Sequence, residues 1–292
     1  MLGSLYIKAS PIDTSLDYFN VGTFTRRVTT KSEAAQTWFD RCFIWAYSFN
    51  HEEAEHCFEQ AAVHDPSCAM AYWGLAFAAG PNHNKTWAAF DPKDLKTSFP
   101  KCHRLVKLAE QKLQDCNATP IERALIPALQ HRYPTSTVPY EFDTSNKAYA
   151  DAMREVYTQF PTDLDVLTLF ADALMNWKPR QLFVTHSSLL NESSPVHEVR
   201  RVLETALAQP GGTKHPGALH MYIHLMERSA WPQTALQAAN HLQSLVPDGG
   251  HIWHMPTHIY VLVGDYRRSL YNNLQATLAD DSFFRTRGGE NF

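Results

Sequence analysis

The stretch from Trp38 to Pro66, WFDRCFIWAYSFNHEEAEHCFEQAAVHDP, constrains this chain more than any other. It sets aromatic residues at Trp38 and Trp45, then Ala54, Phe58 and Ala61, and closes on Pro66. Those offsets describe two helices joined by a tight turn in a unit of about 34 residues. The small residues and the aromatic of the second helix let it nest against the first. Asn50 followed by Glu53 is an N-cap with its capping-box acid, so the second helix starts there. One such pair cannot bury its own apolar face, so further pairs must stack on it.

A second copy opens with SCAMAYWGLAFAAG, placing Tyr72, Leu75 and Ala76 at first-helix positions. It breaks at Gly80-Pro81-Asn82, and a loop through Trp87 and Pro92 displaces its second helix. Further on, Thr119-Pro120-Ile121-Glu122 is a capping box with proline at the first helical position, opening a helix toward Tyr133. Segments 145–160 and 163–177 read as an antiparallel pair, and 196–208 and 216–229 as two more helices. Trp231-Pro232 leads a helix to Val246, and Gly264-Asp265-Tyr266 is an inter-helix turn. Asp281, 34 residues after Pro247, marks where a repeat should end. The expected fold is all-α, a tetratricopeptide-like helix–turn–helix solenoid over residues 33–292. An N-terminal extension, 1–32, precedes it. Its middle, 80–195, is irregular, and the polar loop 178–195 is a candidate internal boundary.

Four stretches, NHEEAEHCFEQAA, DPSCAMAYWGLAFAAGPNHN, HPGALHMYIHLME and GHIWHMPTHIYVLVGDY, resemble a family of bacterial and fungal tetratricopeptide-domain proteins of largely undetermined function. The resemblance covers most of residues 33–292. It implies the helical-repeat fold and little chemistry. Members of that family continue past an ENF-like segment, so the resemblance also implies that this chain is a truncated or early-ending form.

Hydrophobic content of 44% and charged content of 19% are globular values, which exclude a disordered or coiled-coil chain. A net charge of −4 argues against nucleic acid or an anionic membrane as partner. No stretch approaches the roughly 18 apolar residues of a membrane span, and no secretory signal is visible at the N-terminus. Five cysteines without a C-x-x-C pair fit a reducing compartment. The expected location is therefore cytoplasmic, with the sequons at Asn84, Asn117 and Asn191 unused.

Seven of the fifteen histidines fall between residues 215 and 258. His220 and His224 are four apart and share a helical face, and Glu227 extends their stripe. His254 and His258 form a second such pair, which His251 extends if the helix begins that early. Pro256 either kinks this helix or marks its first turn, in which case His251 and His254 precede it in a loop. Both pairs fall on first helices of consecutive repeats, side by side on the inner face of such an array. Two facing His-x-x-x-His stripes bring several imidazoles within the roughly 3–4 Å that one ion requires. The candidate ligands are His220, His224, His254, His258 and His251, with His215 and His51 as further members. Glu227 and Glu55 are supporting groups or alternative ligands. His51 and Glu55 share a face, but the run from His51 to His56 is one residue too long for the H-E-x-x-H of metalloproteases. His64, His103, His131, His186, His197 and His241 read as surface or cap residues. Trp73, Tyr222, Trp253 and Tyr260 interleave with the histidines as candidate pocket walls, or as ordinary core aromatics.

Two functional readings follow. In the first, the imidazoles hold a divalent transition metal in an enzyme acting on a small molecule. Few carboxylates favour copper or zinc, and His220, His224 and Glu227 would also suit iron. Copper or iron implies oxygen chemistry, while zinc implies hydrolytic or lyase chemistry. In the second, the chain is a non-catalytic scaffold holding a partner peptide. That use calls for fixed cations on the inner helices, where only Arg228 appears. No G-x-S-x-G elbow or phosphate-binding glycine loop is present.

Overall fold

The computed structural model of the protein describes residues 9–14, 17–179, 181–183 and 194–288. The loop expected as a boundary at 178–195 lies largely outside these, as do the first eight residues, the sequon at Asn191 and the ENF segment. Among the described residues the fold is all-α and no strand forms. None of these helices is long and apolar enough to cross a membrane. All five cysteines are free, and all but Cys116 are buried.

The chain divides into two compact units. One comprises Met1–Tyr18, Thr25–Ala46 and Asn50–Phe160, and the other Phe19–Phe24, Tyr47–Phe49 and Pro161–Phe292. Along the chain the last change of unit falls between Phe160 and Pro161, and residues 1–32, the expected extension, are shared between the units.

The first unit carries α1 (Glu33–Tyr47, as far as Ala46), α2 (His51–His64), α3 (Ala69–Ala78), α4 (Pro92–Gln114), α5 (Pro120–Gln130) and α6 (Asp143–Gln159). Asn50 caps α2, its side chain accepting from the Glu53 N–H at 3.1 Å. The aromatics of the repeat pattern meet in the core. Phe39 of α1 lies 5.5 Å from Phe58 of α2, and Phe43 lies 6.0 Å from Trp73 of α3. Gly74 lets α3 approach α2 closely, since a Cβ there would sit 2.1 Å from the Phe58 ring. The displaced partner of α3 is α4, which starts after a short 3-10 turn at Trp87–Ala89.

At the start of α5 the capping box is complete, with Thr119 Oγ1 accepting from the Glu122 N–H and Glu122 accepting from the Thr119 N–H at 2.7 Å. Glu122 also accepts from the backbone and hydroxyl of Thr29, at 2.6 and 2.5 Å. Thr119→Ala is expected to cost about 1 kcal/mol in urea unfolding, the ordinary value of such a cap. A loss below a few tenths would mean that the Thr29 contacts alone hold this helix end.

The second unit carries α7 (Leu164–Trp177), α8 (Val196–Ala208), α9 (Pro216–Met226), α10 (Leu236–Leu242), α11 (Gly250–His254), α12 (Pro256–Leu262) and α13 (Tyr266–Arg287). Every residue of α9 is buried, with α7, α8 and α10 packed around it. A helix apolar on all sides belongs in such a position, and its two histidines are carried inward with it. Pro256 takes the first position of α12, so His251 and His254 sit on the one-turn α11 and not in a loop. No repeat ends at Asp281, because α13 runs through it to Arg287. Tertiary contacts prolong this helix: Ala276 and Ala279 pack with Trp253, and Phe283 stacks on Phe19 at 5.0 Å.

Candidate metal centre

His220 and His224 stand one turn apart on α9, 0% and 3% exposed. His251 of α11 joins them, and the ligand atoms of the three rings all lie within 4.8 Å of one another. His220 Nε2 and His251 Nε2 are 3.2 Å apart. Ligands of one tetrahedral ion at about 2.1 Å would stand roughly 3.4 Å apart.

The tautomers follow from the partners on the other ring nitrogens. His220 Nδ1 lies 2.6 Å from the Tyr47 carbonyl, which can only accept, so Nδ1 carries the proton and Nε2 presents a lone pair. Glu227 accepts from His224 Nδ1 at 3.1 Å and from His258 Nδ1, leaving both Nε2 atoms as lone pairs. His254 Nε2 donates to the His258 Nε2 lone pair at 2.9 Å, and its Nδ1 lies 2.8 Å from the Asn273 side-chain amide. A triad and an adjacent pair thus sit side by side, the His224 and His258 rings 6.1 Å apart. Glu227 stands behind both as a hydrogen-bond acceptor.

Burial favours the neutral rings that a metal needs. It lowers His224, against the opposing pull of Glu227. It also brings His251 to about 3, assisted by the neighbouring imidazoles. Burial alone would raise the Glu227 carboxyl, but the hydrogen bonds from His224 and His258 bring it down to about 2. Glu227 is therefore a fixed anion behind the rings.

The remaining candidates lie elsewhere. His215 caps α9, its Nδ1 accepting from the Ala218 N–H at 3.1 Å while Nε2 donates to Asp165 at 3.0 Å. Both of its nitrogens are committed to protein groups. His51 belongs to the first unit, where Nδ1 donates to the Ala78 carbonyl at 2.8 Å, and Glu55 there is bonded to Lys101. Trp73 is a core residue of the same unit, stacked on Phe77 at 5.4 Å. The other three aromatics direct their polar atoms to protein partners. Tyr222 donates to Glu204, Trp253 to the Pro247 carbonyl, and Tyr260 to Asn240.

The aromatic wall of the triad is a residue that residue-type patterning passes over. Phe49 lies 4.4 Å from the His220 ring and 5.6 Å from those of His224 and His251. Its φ is 57°, a left-handed conformation that helix C-termini normally give to glycine. The Asn50 N–H, bonded to the Trp45 carbonyl at 3.0 Å, closes that helix end around it. The only sequence signal is its place just before the Asn50 cap. Tyr47 was equally hidden, since it holds His220 through its backbone. Its hydroxyl donates to Asp165 at 2.6 Å, and a Cβ on Gly217 would meet its ring at 2.6 Å. Asp165→Ala would remove the single oxygen, Oδ1, that accepts from both the Tyr47 hydroxyl and the His215 N–H. The expected loss of stability is about 2 kcal/mol, and an unchanged melting temperature would show that this acceptor is dispensable.

The chain matches no protein-family model and no curated protein. Its chemistry is therefore read from its own residues.

Proposed function

We propose that this protein is a metal-dependent enzyme acting on a small molecule, with a divalent transition ion held by Nε2 of His220, His224 and His251. The observation that carries this reading is the convergence of three rings, two on the fully buried α9 and one on α11. Two of them are aimed by acceptors behind Nδ1, the arrangement that orients metal-bound imidazoles generally. In the absence of an ion, His251 Nε2–H donates to His220. An ion would displace that proton and take both Nε2 atoms as ligands, so that binding releases a proton. Three neutral imidazoles suit zinc or copper. Iron is less well served, because the carboxylate it would want is taken up by two imidazole N–H groups.

Bound zinc would supply an activated water or a polarised carbonyl, and bound copper oxygen chemistry. The adjacent pair would handle protons. His258, fixed through Nδ1 by Glu227, presents Nε2 as a general base, and His254 exchanges that proton with solvent. Phe49 excludes water from one side of the triad. We read the helix pairs of each unit as tetratricopeptide-like, supported by the Asn50 cap, the aromatic spacing of α1 to α3 and the Gly264 turn. The cytoplasm is the compartment that five free cysteines support.

Metal analysis of tag-free protein tests the proposal. About one equivalent of zinc or copper is expected, removed by a chelator with a fall in melting temperature. An ion at a hundredfold excess over its Kd contributes about 2.7 kcal/mol. Protein that carries no metal and binds neither ion at micromolar levels would overturn the proposal in favour of the peptide-holding scaffold.

A further inference from the structure

Arg132 lies in the turn after α5 and is fully buried, at 0% exposure. The turn is clamped, because the next carbonyl, of Tyr133, accepts from Gln130 Nε2 at 2.5 Å and from His103 Nδ1 at 2.7 Å. The guanidinium lies over the Tyr149 ring, 5.2 Å from its centre. Its Nε, Nη1 and Nη2 atoms are all buried and donate to no acceptor among the described residues. A cation–π contact offsets only part of what that burial costs. Burying an ion without a counter-ion costs several kcal/mol. Arginine cannot escape that cost by releasing its proton.

We infer that the first unit holds a binding site for a small organic carboxylate, seated on the Arg132 guanidinium. Charge favours a carboxylate over a phosphate. Burial brings His51 to about 4, so this neighbour of Arg132 is neutral, and Lys85 is exposed to solvent. One buried positive charge is matched by one carboxylate, whereas a phosphate monoester carries about −1.5 to −2. The Glu55 carboxylate of this unit is taken by Lys101. Burial pushes the Tyr133 phenol well above its ordinary value, so it stays a neutral O–H group. Gly80 gives that hydroxyl room, since a Cβ there would lie 2.0 Å from it. Trp87, 6.2 Å from the Tyr133 ring, carries a buried indole N–H that meets no described acceptor. With Phe99 and Phe142 packed on Trp87, the surroundings suit an apolar body behind the carboxylate.

Calorimetry and thermal melting of the full chain test this with benzoate, acetate, phosphate and the neutral isostere benzamide. Benzoate should bind saturably at micromolar to millimolar levels and raise the melting temperature, while phosphate and benzamide should do neither. Arg132→Met should fold at least as stably as the parent, because it removes an uncompensated charge, and should lose the benzoate response. Arg132→Lys, which keeps the charge but not the two-pronged donor, should weaken benzoate about tenfold. The response should survive His220→Ala, which separates it from a carboxylate bound to a metal. Failure of both carboxylates to bind at millimolar concentration, a preference for phosphate, or a response that persists in Arg132→Met would each overturn the inference.

Discussion

Replacing His220, His224 or His251 by alanine is expected to lower zinc or copper affinity by about a hundredfold or more, measured by competition with a chromophoric chelator. Groups that merely orient a ligand already contribute roughly 10–100-fold, and removing one of three ligands must exceed that. Glu227→Gln should fall within the orienting range, because it weakens the hold on His224 and His258 without deleting a ligand. His258→Ala and His254→Ala should retain metal more nearly than the triad variants do and lose turnover instead. His241, exposed on α10, is the control and should behave as wild type. All variants should be compared at equal stability in chelator, so that a folding defect is not mistaken for ligand loss. Should the triad variants bind as tightly as the parent while His254→Ala and His258→Ala do not, the ion belongs to the adjacent pair.

The second large effect is acid destabilisation of the metal-free protein. His51 titrates at about 4 in the folded chain, because burial disfavours its charged form. Unfolded, it titrates near 6.5. Between these values the unfolded chain binds more protons, so stability falls as pH falls from about 6.5 to about 4 and is intact above that window. At about pH 4.5 the loss from this ring would be about 2.5 kcal/mol, or about 2 kcal/mol once its partly exposed edge is allowed for. His224 and His251 act in the same direction. Glu227, held near 2, loses its contribution as pH falls from its ordinary carboxylate range toward that value. Urea unfolding of chelated protein across this range should show the slope. His51→Gln keeps a donor toward the Ala78 carbonyl and should flatten it. Parallel curves for parent and variant would sink the assignment to His51.

Helix ends were legible wherever one nearby side chain decides them. The Asn50 cap and the Thr119 box are local bonds spanning three residues, and α8 runs over the segment its periodicity marks. The pairing of His220 with His224 is local in the same sense, since a helix places residues four apart on one face whatever surrounds it. The end of α13 was not legible, because packing on Trp253 and Phe19 carries the helix past the point where its repeat spacing runs out.

Sequence alone therefore determined an all-helical chain and two histidine stripes. Tertiary structure alone decided that His251, and neither His254 nor His258, completes the triad, and that His215 and His51 have other work. The reason is distance along the chain. The acceptor that fixes the His220 tautomer lies 173 residues away at Tyr47, and His251 lies 31 residues from His220. Residue spacing carries no information about which distant groups packing brings together. Phe49 makes the same point in the backbone. Its ring lies against three imidazoles in a conformation that its residue type disfavours, and contacts formed only in the folded chain hold it there.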